Sequence, residues 1–203
     1  MLNVGMNKAI IIFVRNPELG KVKTRLAKQI GDKRTLEVYV DLLKYTHEIV
    51  CNLDAEKFVY YAELIKESDL WENSRFAKRL QDGKELGDRM KMAFFDLFEQ
   101  GFSNIVIIGS DCPGLTPDLI DQAFEQLAAH DMVIGPSEDG GYYLLGLSQF
   151  IPELFSNKQW STSSVMSDTL QTANQLKKST FILPLLYDID TAADLQRHQE
   201  TAK

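Results

Sequence analysis

The sequence has little cysteine and histidine and no long hydrophobic run. Two cysteines, Cys51 and Cys112, occur among 203 residues, too few for a disulfide framework or a cysteine-based zinc site. No apolar stretch approaches the roughly 20 residues that cross a bilayer, and the first residues lack the basic-then-apolar layout of a signal peptide. We therefore expect a cytoplasmic protein without a membrane span.

Basic residues are outnumbered by acidic ones. The 22 Lys and Arg against 29 Asp and Glu give a net charge of −7, which should repel nucleic acids and anionic membranes. An anionic ligand therefore needs a local basic patch. The length and the 44% hydrophobic content suit one domain. We expect a disordered leader at residues 1–6 and a single domain over 7–203.

Apolar runs without alternation mark several strands. Lys8–Arg15, Asn104–Ile108 and Asp131–Pro136 are apolar on both faces, a pattern typical of buried strands in a parallel sheet. Helical periodicity between the strands predicts an α/β fold. Further strands are predicted at 57–62, 76–81, 142–147 and 181–187, and helices at 32–52, 86–100, 117–130 and 164–178.

A basic loop, Asn16–Leu26, follows the first strand and leads into a helix. Together with the end of that strand it carries four cationic side chains, at Arg15, Lys21, Lys23 and Arg25. Such a cluster at a helix start is suited to a di- or triphosphate, because the helix adds backbone donors. The loop lacks the spacing of a P-loop. The alternative is an ordinary solvated helix start.

Asp111 lies just beyond the strand Asn104–Ile108. A helix start follows at Thr116-Pro117-Asp118, with a capping oxygen, a proline and an acidic residue in the first turn. In open α/β sheets ligands bind beyond the carboxyl ends of the strands, so Asp111 is a candidate metal or ligand contact. The alternative is that it only caps a turn.

Two further acidic segments end predicted strands. Glu138 and Asp139 lie on a glycine-rich turn, where adjacent carboxylates indicate solvation, a metal or a hydroxyl-rich ligand. Asp188 and Asp190 project to the same side of an extended chain, where either could place a second carboxylate near Asp111. A solvated turn and a helix cap, respectively, are the alternatives.

The loop before the third long helix contains Gly83 and Gly87. These glycines could let a flat base lie against the backbone, although an ordinary strand-to-helix turn has the same pattern. Trp160 lies in a lid-like connection before the helix at 164–178, where it either plugs the core or covers the site.

Taken in order, these motifs resemble the bacterial glycosyltransferase family of the arsenosugar-biosynthesis type, long known only as a domain of unknown function. The match runs from about Lys8 to Leu195. The motifs that carry it are Phe13-Val14-Arg15-Asn16-Pro17, Gly20-Lys21-Val22-Lys23-Thr24-Arg25-Leu26, Gly83-Lys84-Glu85-Leu86-Gly87-Asp88-Arg89-Met90, Gly109-Ser110-Asp111-Cys112-Pro113, Gly135-Pro136-Ser137-Glu138-Asp139-Gly140-Gly141-Tyr142-Tyr143, Trp160-Ser161-Thr162 and Asp188-Ile189-Asp190-Thr191.

The resemblance implies a GT-A-like fold, the three-layer α/β/α fold of nucleotide-diphospho-sugar transferases, with a mostly parallel sheet and one antiparallel strand. It implies Mg²⁺ or Mn²⁺ on Asp111 and Asp190. It also implies nucleotide contacts, with phosphates on Arg15, Lys21, Lys23, Thr24 and Arg25 and the base near Gly83, Leu86 and Gly87. The sequence has Ser-Asp-Cys-Pro where many such glycosyltransferases have Asp-x-Asp, a departure shared with nucleotidyltransferases.

Three functions fit these residues. The first, favoured by the resemblance, is a glycosyltransferase that uses a nucleoside-diphosphate sugar, with Asp139 or Glu138 taking a proton from a small-molecule acceptor. The second is a guanylyl- or cytidylyltransferase-like enzyme that releases pyrophosphate from a nucleoside triphosphate. The third is a non-catalytic nucleotide-binding module. The sequence does not determine the oligomeric state.

Overall fold

Seven strands and six α-helices occur along residues 7–201, which are the residues that the computed structural model describes. The expected leader at residues 1–6 lies outside this range. The strands are β1 (Lys8–Val14), β2 (Glu56–Tyr61), β3 (Ala77–Leu80), β4 (Asn104–Ile108), β5 (Met132–Pro136), β6 (Tyr142–Leu147) and β7 (Thr180–Ile182). The helices are α1 (Thr24–Ile30), α2 (Asp32–Val50), α3 (Leu86–Glu99), α4 (Pro117–Gln126), α5 (Val165–Gln175) and α6 (Ala192–Thr201), with a 3₁₀ turn at Pro152–Phe155.

The strands form one sheet in the order β3-β2-β1-β4-β6-β5-β7. β6 runs antiparallel to its neighbours β4 and β5, whereas every other neighbouring pair is parallel. The sequence prediction of a mostly parallel sheet with one antiparallel strand is confirmed. Since β1 and β4 are adjacent and parallel, the segments that follow them leave the sheet at the same edge.

Both faces of the sheet are buried, which explains the uninterrupted apolar runs. In β1, Ile10 and Ile12 pack in a core that includes residues of α2 and α4. Ala9 and Ile11 pack on the other face, in a core that includes residues of α3, the 3₁₀ turn and α5. The chain therefore has three layers, with helices on either side of the sheet, as the sequence predicts.

Side chains cap two helix starts near the ligand edge, which is the edge of the sheet where β1 and β4 end, and the sequence predicts the first of these caps. The Thr116 hydroxyl accepts a hydrogen bond from the Leu119 backbone N–H at 3.3 Å, and Pro117 begins α4. Before α6, the Asp194 carboxylate accepts from the Thr191 backbone N–H at 2.7 Å, and the Thr191 hydroxyl accepts from the Asp194 N–H at 3.3 Å. These caps fix the segments that carry Asp111 and Asp190.

The strand predicted over 181–187 is wrong from Leu183 onward, because β7 ends at Ile182. Pro184 has no backbone N–H for a ladder, so a strand is not continued through it. The chain instead crosses toward the end of β5, where Leu186 bridges Ser137. This crossing carries Asp188 and Asp190 to the ligand edge. Within residues 7–201, no helix is both long and apolar enough to cross a membrane.

Candidate functional site

One cleft with two adjoining lobes opens at the carboxyl ends of β1 and β4. The basic lobe, of about 970 Å³, is lined by seven basic and three acidic residues: Arg15, Lys21, Lys23, Arg25, Lys84, Arg89 and Lys158 with Glu85, Asp111 and Asp190. The acidic lobe, of about 550 Å³, is lined by four aspartates and two arginines: Asp111, Asp139, Asp188 and Asp190 with Arg15 and Arg25. Phe13, Leu86 and Trp160 line both lobes.

All four cationic residues of this region line the basic lobe, as does Thr24 at the start of α1. The backbone of Arg15 is held by Tyr39, whose hydroxyl accepts from the Arg15 N–H at 2.8 Å and donates to the Arg15 carbonyl at 3.1 Å. Lys21 pairs with Glu18 at 2.7 Å on the surface. Arg25 has a side chain that is 72% exposed, which leaves its guanidinium available to a ligand.

Lys23 joins the basic loop to the two carboxylates predicted to hold a metal. Its Nζ lies 3.0 Å from Asp111 Oδ1 and 3.5 Å from Asp190 Oδ1. The same Nζ donates to the Ile189 carbonyl at 2.6 Å. Segments separated by 167 positions in the chain therefore meet at one ammonium group.

Asp188 and Asp190 both line the acidic lobe, and Asp190 also reaches the basic lobe. The pKa of Asp188 is raised to about 6, mainly by burial and in smaller part by the negative charges of Asp111 and Asp139. The Ser137 hydroxyl donates to Asp188 Oδ2 at 2.7 Å, which opposes that rise. Asp188 is thus a half-buried carboxylate whose charged form a nearby cation would stabilise.

The carboxylates fit a hard divalent cation in donor type, because Mg²⁺ and Mn²⁺ favour oxygen ligands. Among residues 7–201, no three His, Cys, Asp or Glu side chains are grouped closely enough to hold an ion by themselves. A metal at Asp111 with Asp190 or Asp188 would need further oxygens from a ligand. Magnesium sites completed by substrate phosphates have this composition.

Asp139 and Glu138 are adjacent in sequence but separate in the structure. Asp139 lines the acidic lobe, and its Oδ1 accepts from the Gly141 N–H at 2.9 Å. Glu138 lines neither lobe and instead forms a two-pronged ion pair with Arg197 of α6, at 2.8 and 3.0 Å. The structure does not bring Glu138 to the cleft, because successive side chains diverge and α6 supplies a partner on the outer side.

The two glycines predicted near a base do not line the cleft, whereas Leu86 does. Gly83 has φ +136°, and the Arg89 side chain donates to its carbonyl at 3.1 Å. Gly87 lies under the Trp160 indole, since a Cβ there would fall 2.2 Å from the ring. The indole therefore takes the place predicted for a base at Gly87.

The segment around Trp160 crosses the cleft as a strap, defined as residues 156–164. The C-terminal end of the strap packs closely on Gly140, because a Cβ at Gly140 would lie 2.2 Å from the Ser163 carbonyl oxygen. The first turn of α5 continues this contact, with the Met166 N–H donating to Gly140 O at 2.9 Å. Trp160 thus lines both lobes and also packs against the core on this face of the sheet.

Lys158, Arg89 and Tyr39 are cleft residues that the sequence analysis missed. Burial lowers the pKa of Lys158 to about 8, and its ammonium donates to the Thr169 hydroxyl at 2.7 Å. Arg89 sits one turn into α3 and Tyr39 inside α2, positions that read as ordinary helix in the sequence.

Sheet order, cleft position and charge distribution together define a nucleotide-diphospho-sugar transferase-like fold. A solved structure described as a nucleotide-diphospho-sugar transferase, from Desulfovibrio desulfuricans G20, superposes with a TM-score of 0.90 and is 31% identical, over 97% of this chain and 88% of that one. Rv0371c of Mycobacterium tuberculosis H37Rv, solved with manganese, has the same fold at a TM-score of 0.55 and 12% identity, over 96% and 98% of the two chains.

The chain belongs to the family of uncharacterised proteins conserved in bacteria called DUF2064, whose model matches residues 45–162. The predicted domain of unknown function and its fold are confirmed, whereas the arsenosugar-biosynthesis type is not shown. A curated relative, 2-phospho-L-lactate guanylyltransferase of Methanocaldococcus vulcanius, is 25% identical over 138 residues. That alignment covers 68% of this chain and 61% of the relative, so the chain matches only part of the relative's length. The relatives that are named by activity are transferases.

Proposed function

We propose that the chain is a metal-dependent nucleotidyltransferase that binds a nucleoside triphosphate in the basic lobe and a small acceptor in the acidic lobe, and releases pyrophosphate. The observation that carries the proposal is the meeting of the basic loop with Asp111 and Asp190 in one cleft, 3.0 to 3.8 Å apart. The guanylyltransferase relative supports nucleotidyl transfer as the reaction.

Arg15, Lys21, Thr24 and Arg25 hold the phosphates. Their surplus of positive charge offsets the several negative charges of a triphosphate, and the first turn of α1 adds backbone donors. Arg15 and Arg25 line both lobes, so they also face the α-phosphate where the bond to the acceptor forms. Phe13, Leu86 and Trp160 supply apolar surface for a base or ribose.

Asp111, with Asp190 or Asp188, would hold Mg²⁺ or Mn²⁺, and the ion would neutralise charge on the phosphates as the transition state develops. The acceptor attacks the α-phosphorus through a phosphate or carboxylate oxygen, which needs no carboxylate base. Asp139 lies in the acidic lobe and contacts polar groups of the acceptor there.

A second candidate is glycosyl transfer from a nucleoside-diphosphate sugar, as in the arsenosugar-biosynthesis type. Its support is the 31% identical relative described as a nucleotide-diphospho-sugar transferase. In this reaction the basic lobe holds the departing diphosphate, and Asp139 takes the proton of an acceptor hydroxyl. Nucleotidyl transfer is preferred because the chain has Ser-Asp-Cys-Pro at residues 110–113 in place of Asp-x-Asp.

The test compares products from two classes of donor. The protein is incubated with Mn²⁺ or Mg²⁺ and with GTP or CTP labelled at the α-phosphate. Candidate acceptors are added one at a time, and 2-phospho-L-lactate is tested first. Parallel reactions contain sugar nucleotides. Labelled acceptor and pyrophosphate in equal amounts support the proposal. If nucleoside diphosphate forms from sugar nucleotides and triphosphates give no product, the reaction is glycosyl transfer and the proposal is wrong. If the protein binds nucleotide tightly with metal but forms neither product, it is a binding module.

A further inference from the structure

Lys23 differs from the other cations of the basic loop in being buried. Its side chain is 4% exposed, compared with 59% for Lys21 and 72% for Arg25. Three oxygens lie within 3.5 Å of its Nζ, from Asp111, Asp190 and the Ile189 carbonyl. The ammonium group is therefore held by three protein oxygens at the wall of the cleft.

The backbone of Lys23 is arranged for this placement. Lys23 precedes α1 and has φ 43° and ψ 52°, in the left-handed region that is unfavourable for a residue with a Cβ. No side chain caps α1 at this position. The conformation instead accompanies a side chain that runs back into the cleft, between the segments after β4 and before α6.

The position of Nζ overlaps the region that a divalent ion would use. An ion held by Asp111 and Asp190 would lie within a few ångströms of Nζ, where two like charges repel strongly at the low effective dielectric of a partly buried site. The ammonium also offsets the mutual repulsion of the two aspartates while no ion is bound. Lys23 and a metal are thus alternative partners of one carboxylate pair.

We propose that Lys23 is a positioning residue that occupies the Asp111–Asp190 pair in the nucleotide-free protein and keeps metal affinity low until a nucleotide binds. Nucleotide phosphates supply the anionic partner that draws the ammonium away from Asp111, and they also complete the metal's oxygen shell. The nucleotide step rests on the proposed function, whereas the competition between Lys23 and metal in the free protein does not.

The test measures Mn²⁺ binding to the full chain without nucleotide, from the electron paramagnetic resonance signal of free Mn²⁺. Lys23→Met should bind Mn²⁺ at least about tenfold more tightly than the unmodified protein, since it removes the competing charge. Lys23→Arg, which restores the charge, should return affinity to the original value. Lys28→Met removes an exposed lysine of α1 that lines neither lobe and should leave affinity unchanged.

Lys23→Gln covers the case in which the methionine variant does not fold, because its amide can still donate to the Ile189 carbonyl. It should also tighten Mn²⁺ binding. Equal or weaker binding in the folded uncharged variant would overturn the inference, as would tightening in Lys23→Arg. The outcome is separate from turnover: if Lys23→Met tightens binding but pyrophosphate never appears in the product assay, the proposed function fails and this inference remains.

Discussion

The two lobes of the cleft share a floor and walls but differ in charge. Seven basic residues line the basic lobe, whereas four aspartates and two arginines line the acidic lobe. In a protein with a net charge of −7, the basic lobe is the exception and the acidic lobe follows the average. The charge therefore changes sign along the cleft, so that the basic lobe favours a polyphosphate and the acidic lobe favours a cation. Asp111 lies at the boundary between the lobes.

The largest effect on this comparison is expected from Asp111→Asn, which removes charge at the boundary of the lobes. Turnover should fall by about 10³-fold, because the metal that neutralises the phosphates loses its principal carboxylate. The stabilisation of the protein by nucleotide with Mn²⁺, measured as a shift in Tm, should also be lost. Asp121→Asn on the exposed side of α4 is the control and should change neither. Retained metal-dependent stabilisation would remove Asp111 from the site.

The next largest effect is expected from Gly87→Ala, which tests the wall common to both lobes. The new methyl group would lie 2.2 Å from the Trp160 indole, so the strap must shift. Overpacking of this kind costs about 1–3 kcal/mol and should also weaken nucleotide binding. Gly109→Ala, where nothing lies within 4 Å of the added Cβ, is the matched control for unfolding.

A double variant sharpens this prediction. Trp160→Ala in the Gly87→Ala background should recover part of the lost unfolding free energy, because the clash is gone, giving a favourable coupling in a double-mutant cycle. Additive losses would show that Trp160 does not rest on Gly87 in solution.

Asp188→Asn tests the surplus of negative charge in the acidic lobe. Because the folded-state pKa of about 6 exceeds the usual value near 3.9, the folded chain keeps a proton that the unfolded chain releases. The associated stability is present at low pH and is lost as pH rises through about 6. In EDTA at pH 8, Asp188→Asn should therefore raise the free energy of unfolding by about 1–3 kcal/mol, as measured by urea denaturation.

The gain in Asp188→Asn should shrink as pH falls from 6 to 4, where the carboxyl group of the unmodified protein is protonated. The Ser137 hydroxyl can still donate to the asparagine oxygen, so its hydrogen bond is preserved. A gain that is equal at pH 4 and pH 8 would contradict the assignment of the effect to charge.

Arg25→Ala tests the basic lobe and should have a moderate effect. Loss of one exposed guanidinium should raise the Kd for a nucleoside triphosphate about tenfold at low salt, and less at high salt because the interaction is screened. Titration calorimetry at two ionic strengths measures both values. Arg34→Ala, on the exposed surface of α2 outside both lobes, should leave the Kd unchanged. An unaltered Kd in Arg25→Ala would show that Arg25 does not contact the nucleotide.

Glu138→Gln should have the smallest effect, because its ion pair with Arg197 is exposed and lies outside both lobes. An exposed pair of this kind contributes little to stability, because water and salt screen its charges. Turnover should stay within about twofold, whereas Asp139→Asn on the neighbouring residue should reduce it. A large loss of turnover in Glu138→Gln would mean that the turn rearranges when substrate binds.

Much of the fold was predictable because local sequence determines it. The apolar runs that end at Val14, Ile108 and Pro136 are strands buried on both faces, and Thr116 caps a helix as its side chain predicts. Prediction failed beyond Ile182, where hydrophobicity suggested a strand but Pro184 removed the backbone donor. For the site, the sequence shows which strand ends are followed by charged residues. These residues are expected to meet because parallel strands bring their carboxyl ends to one edge of the sheet.

The sequence by itself therefore determined the layers, the ligand edge and the charged residues that could serve it. Only the tertiary structure decided which of these residues meet: Lys23 pairs with Asp111 and Asp190, Glu138 pairs with Arg197, and Trp160 packs over Gly87. The physical reason is distance along the chain. Periodicity and capping act over a few residues, whereas these contacts join segments up to 167 positions apart, and only packing determines which side chains face each other.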